Sequence, residues 1–357
     1  MAAEWGNRVI GELTAAPSRE NRSEEETMRF GLGFAIGLCI ATGAAISPAG
    51  LAAAEDASDY PGKPVRLIVP LQAGSAVDLL ARTFGHKLGE VWNQQFIVEN
   101  RPGAAGTFGA QSASKAPPDG YALLVTTNAP LTTSPVLYRK LEYSWEDFEP
   151  IAVVAQAPTV LIVNPALGVN SISELLALSR RMPSGASAAT GGNGSIGHFV
   201  LSDMQRRLGA NFVNVHYRGG VAGVTAVAAG EAQVGVLDTG SAISFIKDGR
   251  VRALGIVAPR RATALPDVPT LGELGLSGSD IVAWVSFVAP KGTPAGIVQK
   301  LSAEIARALK DPQVRQRLIT AGMEPVDGST PQQFAGYLRE EVSRWRQRVQ
   351  DTGLKLE

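Results

Sequence analysis

From Tyr60 onward the apolar positions of the chain change period again and again. Short β-branched runs give way to Gly, Ser, Thr or Asn, and then to stretches whose apolar residues recur every three or four positions. Residues 65–70 lead through 71–74 into a segment with Val77, Leu80, Ala81, Phe84 and Leu88 on one helical face. Residues 121–127 run into Asn128, and residues 160–164 precede a helix opened by Ser171 with Glu174 three positions on. Residues 186–190 run into GGNGSIGH and a helix over 199–208; residues 212–217 lead into RGGVAG, and 233–238 into TGSAI. Strands alternating with helices predict mainly parallel sheets flanked by helices, an α/β fold. The last third is more helical. Pro294 sits at a first helical position ahead of a stripe of Ile297, Leu301, Ile305 and Leu309, and Thr330-Pro331-x-Gln333 is a capping signal before Phe334, Leu338, Val342, Trp345 and Val349. Residues 151–155 and 254–258 are further strands. With no low-complexity linker after residue 60, two domains would have to share an interleaved chain.

The first 54 residues read differently. Residues 30–46 form an uncharged apolar run preceded by Arg29 and followed by Ala52-Ala53-Ala54, the shape of a secretory leader with small residues at its cleavage site. The run is short of a spanning helix and diluted by glycine. Glu24, Glu25 and Glu26 are out of place in a basic leader, so Met28 is an alternative start and residues 1–27 an extension. Leu38 before Cys39 argues against a lipid anchor. Export to the periplasm is the expectation. Lys plus Arg total 33, as do Asp plus Glu, and such balance excludes a nucleic-acid binder. The single cysteine excludes a disulfide scaffold and a thiolate metal cluster.

Gly192-x-Gly194-x-x-Gly197 matches a dinucleotide fingerprint in form, but no acid ends the following strand, where Asn214 and His216 stand. Ser195 reads instead as the N-cap of an anion-receiving turn. Ser75-x-x-Asp78 reads as a capping box, or as a ligand contact suited to an ammonium group. His86, His198 and His216 share no metal spacing, so neither metal nor cofactor is expected. A nucleophile elbow is missing, since Asn193 occupies the place of its first glycine; Ser195 with His198 is the one pair an enzyme could use. Arg218 follows a strand end and could meet a carboxylate. In open α/β sheets ligands bind at the carboxyl ends of strands, where helix-start amides favour anions. Small residues recur at that edge here, which points to an acidic small molecule held by main-chain donors.

Six ordered segments carry a resemblance: PGKPVRLIVPLQAGSAVDLLAR, VENRPGAAGTFGA, APPDGYALLV, GNGSIGH, ALPDVPTLGELGL and VAPKGTPAGIVQKL. The chain from about Tyr60 resembles the Bug family, periplasmic substrate-binding proteins of tripartite tricarboxylate transporters. The resemblance implies a two-lobed Venus-flytrap fold of type II closing on a small carboxylated solute. Lobe I would hold residues 55–156 and about 258–357, and lobe II residues 157–257. Two strand-to-helix loops, with Gly74, Ser75, Ala76 and Asp78 in the first and Asn193, Gly194, Ser195 and His198 in the second, would grip a carboxylate through backbone amides near 74–76 and 194–196. Thr127, Asn128, Arg218 and Asp238 are the remaining expected contacts. Leu71, Ser75 and Ala76 depart from the family's usual aromatic, second glycine and hydroxyl residue, which alters the pocket floor. The implied partners are transporter subunits or a membrane sensor, and the receptor is expected to act as a monomer.

Overall fold

The computed structural model describes residues 58–138, 140–192, 194–276 and 281–352. The leader, Cys39, Met28 and Asn193 lie outside the described residues. The elements run β1 (Val65–Val69), α1 (Ala76–Trp92), β2 (Phe96–Asn100), α2 (Thr107–Ser114), β3 (Ala122–Thr127), α3 (Ser134–Leu137), β4 (Phe148–Ala157), β5 (Thr159–Val163), α4 (Ile172–Arg181), β6 (Ala186–Thr190), α5 (Ile196–Leu208) and β7 (Phe212–His216). They continue with α6 (Gly220–Ala229), β8 (Val234–Asp238), α7 (Thr239–Lys247), β9 (Arg252–Val257), β10 (Ala283–Pro290), α8 (Ala295–Ala308), α9 (Pro312–Thr320), β11 (Glu324–Pro325) and α10 (Pro331–Thr352).

Two sheets result, each the centre of one lobe. The first has the order β11-β4-β10-β3-β1-β2, the second β7-β6-β8-β5-β9. Alternation along the central strands feeds two cores per sheet. On β1, Val65, Leu67 and Val69 face α1 and α8, whereas Ile68 faces the side that α2 and Phe334 of α10 cover. On β5, Leu161 and Val163 pack with α4 and α5, and Val160 and Ile162 with α6 and α7. The apolar stripes of α1, α8 and α10 are buried as the periodicity predicts.

The sheets are mixed, which corrects the expectation of mainly parallel pairing. β1 runs parallel to β2 and β3, and β6 parallel to β7 and β8. β10 is antiparallel to both its neighbours, and so is β5. These two are the first strands after each passage between sheets. A strand that enters a lobe from the side where the other strands end must run the opposite way. The first passage is a single residue, Pro158, between β4 and β5. Its carbonyl accepts the Thr239 amide at 2.9 Å and the Thr239 hydroxyl at 2.8 Å, which ties the start of α7 to the crossing.

Local signals set the helix starts. Ser75 and Ser195 cap α1 and α5, and at the start of α10 the Thr330 hydroxyl accepts the Gln333 amide while the Gln333 side chain accepts the Thr330 amide. Pro294 is the N-cap of α8 and not its first residue, a shift of one position. Among the described residues, two contacts between the lobes stand out. Fully buried Trp345 of α10 lies against Phe199 of α5, ring centroids 4.8 Å apart, beside Leu137 of α3. Gly240 of α7 faces Gly322, the turn between α9 and β11; a Cβ on Gly240 would sit 2.3 Å from the Ala321 carbonyl oxygen. Only glycine permits so close an approach.

Candidate functional site

Two turns with one geometry follow β1 and β6. In the first, Gly74 has φ +81° and Ser75 is extended at φ −67°, ψ 158°. The second has Gly194 at φ +74° and Ser195 at φ −69°, ψ 159°. In both, the serine hydroxyl accepts the amide three residues on, from Asp78 at 3.2 Å and from His198 at 3.4 Å. The side chain of that third residue reaches back to the glycine: the Gly74 amide donates to Asp78 Oδ2 at 2.9 Å, and the Gly194 amide to His198 Nδ1 at 3.1 Å.

These bonds decide which donors face outward. The Gly74 and Gly194 amides are occupied, and those of Ser75 and Ser195 donate to the carbonyls of Gln72 and Gly192. Among the described residues the open donors are the first two helical amides, Ala76 and Val77 in one turn and Ile196 and Gly197 in the other, which have no helical partner one turn earlier. The expected spans 74–76 and 194–196 thus move toward the helices. The Val77 and Gly197 amides were not among the contacts expected from the sequence, although both follow from counting helical positions after an N-cap serine. Gly197 is required sterically, since a Cβ there would fall 2.1 Å from the Val236 carbonyl oxygen of β8.

Asp78 is not available to a ligand, contrary to the expectation of a direct contact. Its Oδ2 accepts from Gly74 and from Arg82 Nε at 3.0 Å, its Oδ1 accepts from Asn100 Nδ2 at 2.9 Å, and Arg82 Nη2 lies 3.0 Å from Oδ1 in the same ion pair. The Asp78 side chain is buried beneath these partners. Burial pushes its pKa up, but the bonds from Arg82, Gly74 and Asn100 outweigh this and hold the carboxyl below its usual range. Asn100 also donates to the Leu71 carbonyl at 3.1 Å, so the whole loop is fastened from below. Asp238 caps α7: its oxygens accept the Ser241 amide at 2.8 Å and the Ser241 hydroxyl at 2.9 Å.

Burial, with repulsion from nearby His216, pushes the His198 pKa down to about 4. Its Nδ1 accepts from the Gly194 amide, and what the Ser195 hydroxyl meets is the His198 backbone amide and not the ring. Thr127 is half-buried and Asn128 buried at the end of β3, the strand next to β1, and Thr126 Oγ1 has no hydrogen-bond partner among the described residues. Arg218 is exposed after β7. Gly240 brings the two lobes' helix starts together, a Cβ there lying 3.4 Å from that of Ala76. Among the described residues no group of three or more His, Cys, Asp or Glu side chains is arranged to hold a metal ion, and no helix is long and apolar enough to cross a membrane.

The model of the tripartite tricarboxylate transporter family receptor matches residues 80–354. Protein BugT of Bordetella pertussis is 33% identical over 323 residues, covering 90% of this chain and 97% of that protein. The structure of periplasmic binding protein BugD has a TM-score of 0.77 at 28% identity, over 84% of this chain and all of that one. A Rhodopseudomonas palustris protein solved with adipate has a TM-score of 0.78 at 29% identity, over 83% of this chain and 99% of its own. MatC from the same organism, with bound malate, has a TM-score of 0.73 at 29% identity, over 81% and 100%. Paired serine-capped turns on two α/β lobes and a match across most of the sequence lead to one assignment: the chain belongs to the tripartite tricarboxylate transporter receptor family, the Bug proteins, and is a solute-binding receptor.

Proposed function

We propose that the receptor holds a small carboxylated organic acid between the two serine-capped turns, after export through the leader at residues 1–54, and delivers it as a monomer to a tripartite tricarboxylate-type transporter in the membrane. The division is lobe I over 55–156 and about 258–357, and lobe II over 157–257. The observation that carries the reading is the pair of matched turns, each offering two open helix-start amides beside a serine hydroxyl. Such amides carry the positive end of a helix and suit a carboxylate without any cationic side chain. Closure follows because the closed form makes both sets of contacts and the open form only one. Thr127, Asn128 and Arg218 would read the rest of the solute. Adipate and malate, bound by relatives, are the first acids to try.

A thermal-shift series of the purified protein with mono-, di- and tricarboxylic acids tests this. At least one acid should raise the melting temperature in proportion to its concentration, and Ser195→Trp should abolish the rise by filling the second turn. An unchanged rise in that variant would remove the turn from the site.

A further inference from the structure

The likeness of the two turns extends to what lies beneath them. In lobe I the last residues of β1 and β2, Val69 and Asn100, are register partners, and Asn100 reaches the side chain of Asp78. In lobe II the last residues of β6 and β7, Thr190 and His216, are register partners in the same way. The His216 ring stands 4.9 Å from that of His198, edge to face. Ser195 stands where Ser75 does, His198 where Asp78 does, and His216 where Asn100 does. The position of Arg82, four residues beyond Asp78, is taken by Ser202, four beyond His198, whose hydroxyl donates to the His198 carbonyl.

We propose that His198 is the lobe II counterpart of Asp78: a positioning residue that holds the second turn in its ligand-receiving shape, and does so only as a neutral imidazole carrying its proton on Nε2. This rests on the reading of the turns as the ligand site. The chemistry is fixed by one contact. Nδ1 accepts the Gly194 amide, so it has a lone pair and no proton. An imidazolium carries N–H on both nitrogens, and its Nδ1–H would meet the Gly194 N–H head-on. The turn would then lose the bond that aims its amides.

The neighbours keep the ring neutral. From β7 it faces His216, whose own charge would oppose a second one, and His216 in turn meets the uncharged Thr190, which bonds Asn214. The Thr190 hydroxyl donates to Asn214 Oδ1 at 3.0 Å, so at the 3.1 Å contact with His216 it is the Nδ1–H of His216 that donates. His216 is thereby set as the opposite tautomer. Among the described residues no carboxylate is paired with His198. Lobe I solves the same problem with an ionised carboxylate pinned by Arg82, and lobe II with a neutral acceptor.

Long-range nitrogen–proton NMR of the imidazoles reads the tautomer without any ligand. His198 should be neutral, with its proton on Nε2, from pH 8 to pH 6; an Nδ1–H tautomer or an imidazolium at pH 6 would overturn the proposal. Two substitutions separate position from bulk. Asparagine places its oxygen near Nδ1 and glutamine near Nε2. His198→Asn should leave exchange of the Gly194 amide within about threefold of wild type, whereas His198→Gln should speed it by up to about tenfold, the worth of one hydrogen bond. Adipate and malate affinities should follow the same order. Equal exchange in both variants would refute the role. If neither acid binds the wild type while the tautomer and exchange results hold, the choice of ligand fails and the positioning role stands.

Discussion

Replacing Gly240 with alanine tests whether the two lobes must approach as closely as they do here to hold a ligand. The added Cβ would lie 2.3 Å from the Ala321 carbonyl oxygen, where ordinary contact begins at 3.4 Å. That oxygen is backbone, in a turn next to Gly322, and cannot rotate aside. The lobes must part by about 1 Å at this point or the chain must strain, and overpacking of this kind costs about 1–3 kcal/mol. In the unliganded protein an opened hinge relieves the clash. There alanine, in the first turn of α7, even gains up to about 1 kcal/mol of helix preference over glycine. The expected result is an acid affinity weakened about 5- to 150-fold, the equivalent of 1–3 kcal/mol, with an unliganded melting temperature unchanged or higher. Titration calorimetry with whichever acid shifts the melting temperature most reads the first, and a thermal scan the second. Gly336→Ala in α10, where a Cβ meets nothing within 4 Å, is the control and should leave affinity alone. Wild-type affinity in Gly240→Ala would refute the reasoning, as would a variant whose unliganded form is itself destabilised.

Two further outcomes are expected. Trp345→Ala should destabilise the protein by about 3–5 kcal/mol, as loss of a fully buried aromatic does, and a urea-measured loss below about 1 kcal/mol would show that the contact with Phe199 carries little. Acid should weaken the fold in two stages. Between 6.5 and about 4 the unfolded chain takes a proton that folded His198 refuses, and the depressed His216 acts in the same direction, so stability falls with pH across that window. The Asp78 contribution is complete above its ordinary 3.8 and is lost only as pH falls through the lower folded value. Urea denaturation at pH 7, 5.5 and 4.5 checks the first stage: a flat profile would contradict it, and His198→Asn should reduce the slope.

The alternation of runs and stripes was enough to place most strands and helices, because period two and period 3.6 are properties of neighbours along the chain. N-caps were legible for the same reason. A serine three residues ahead of Asp78, His198 or Glu174 acts on the next turn of its own helix, and nothing distant can cancel it. Family membership was also legible, since ordered motifs such as GNGSIGH and APPDGYALLV identify it without any fold being known.

What Asp78 does was not legible. Whether a capping carboxylate also meets a ligand depends on which groups already hold it, and two residues outside the capping motif hold Asp78: Arg82 pairs with it from the next turn of its own helix, and Asn100 arrives from a strand 22 residues on. Trp345 sits on the same stripe as Phe334, Leu338 and Val342, so the pattern assigns all four to one core. Only the folded chain brings Trp345 against Phe199 of the other lobe. Strand direction was decided the same way, by the passages between lobes that reverse β5 and β10. Local order comes from residues within a few positions of each other and is written in the sequence. The pairing of the two turns, and the state of the groups beneath them, comes from contacts between segments that periodicity treats as equivalent, and tertiary packing alone selects among those.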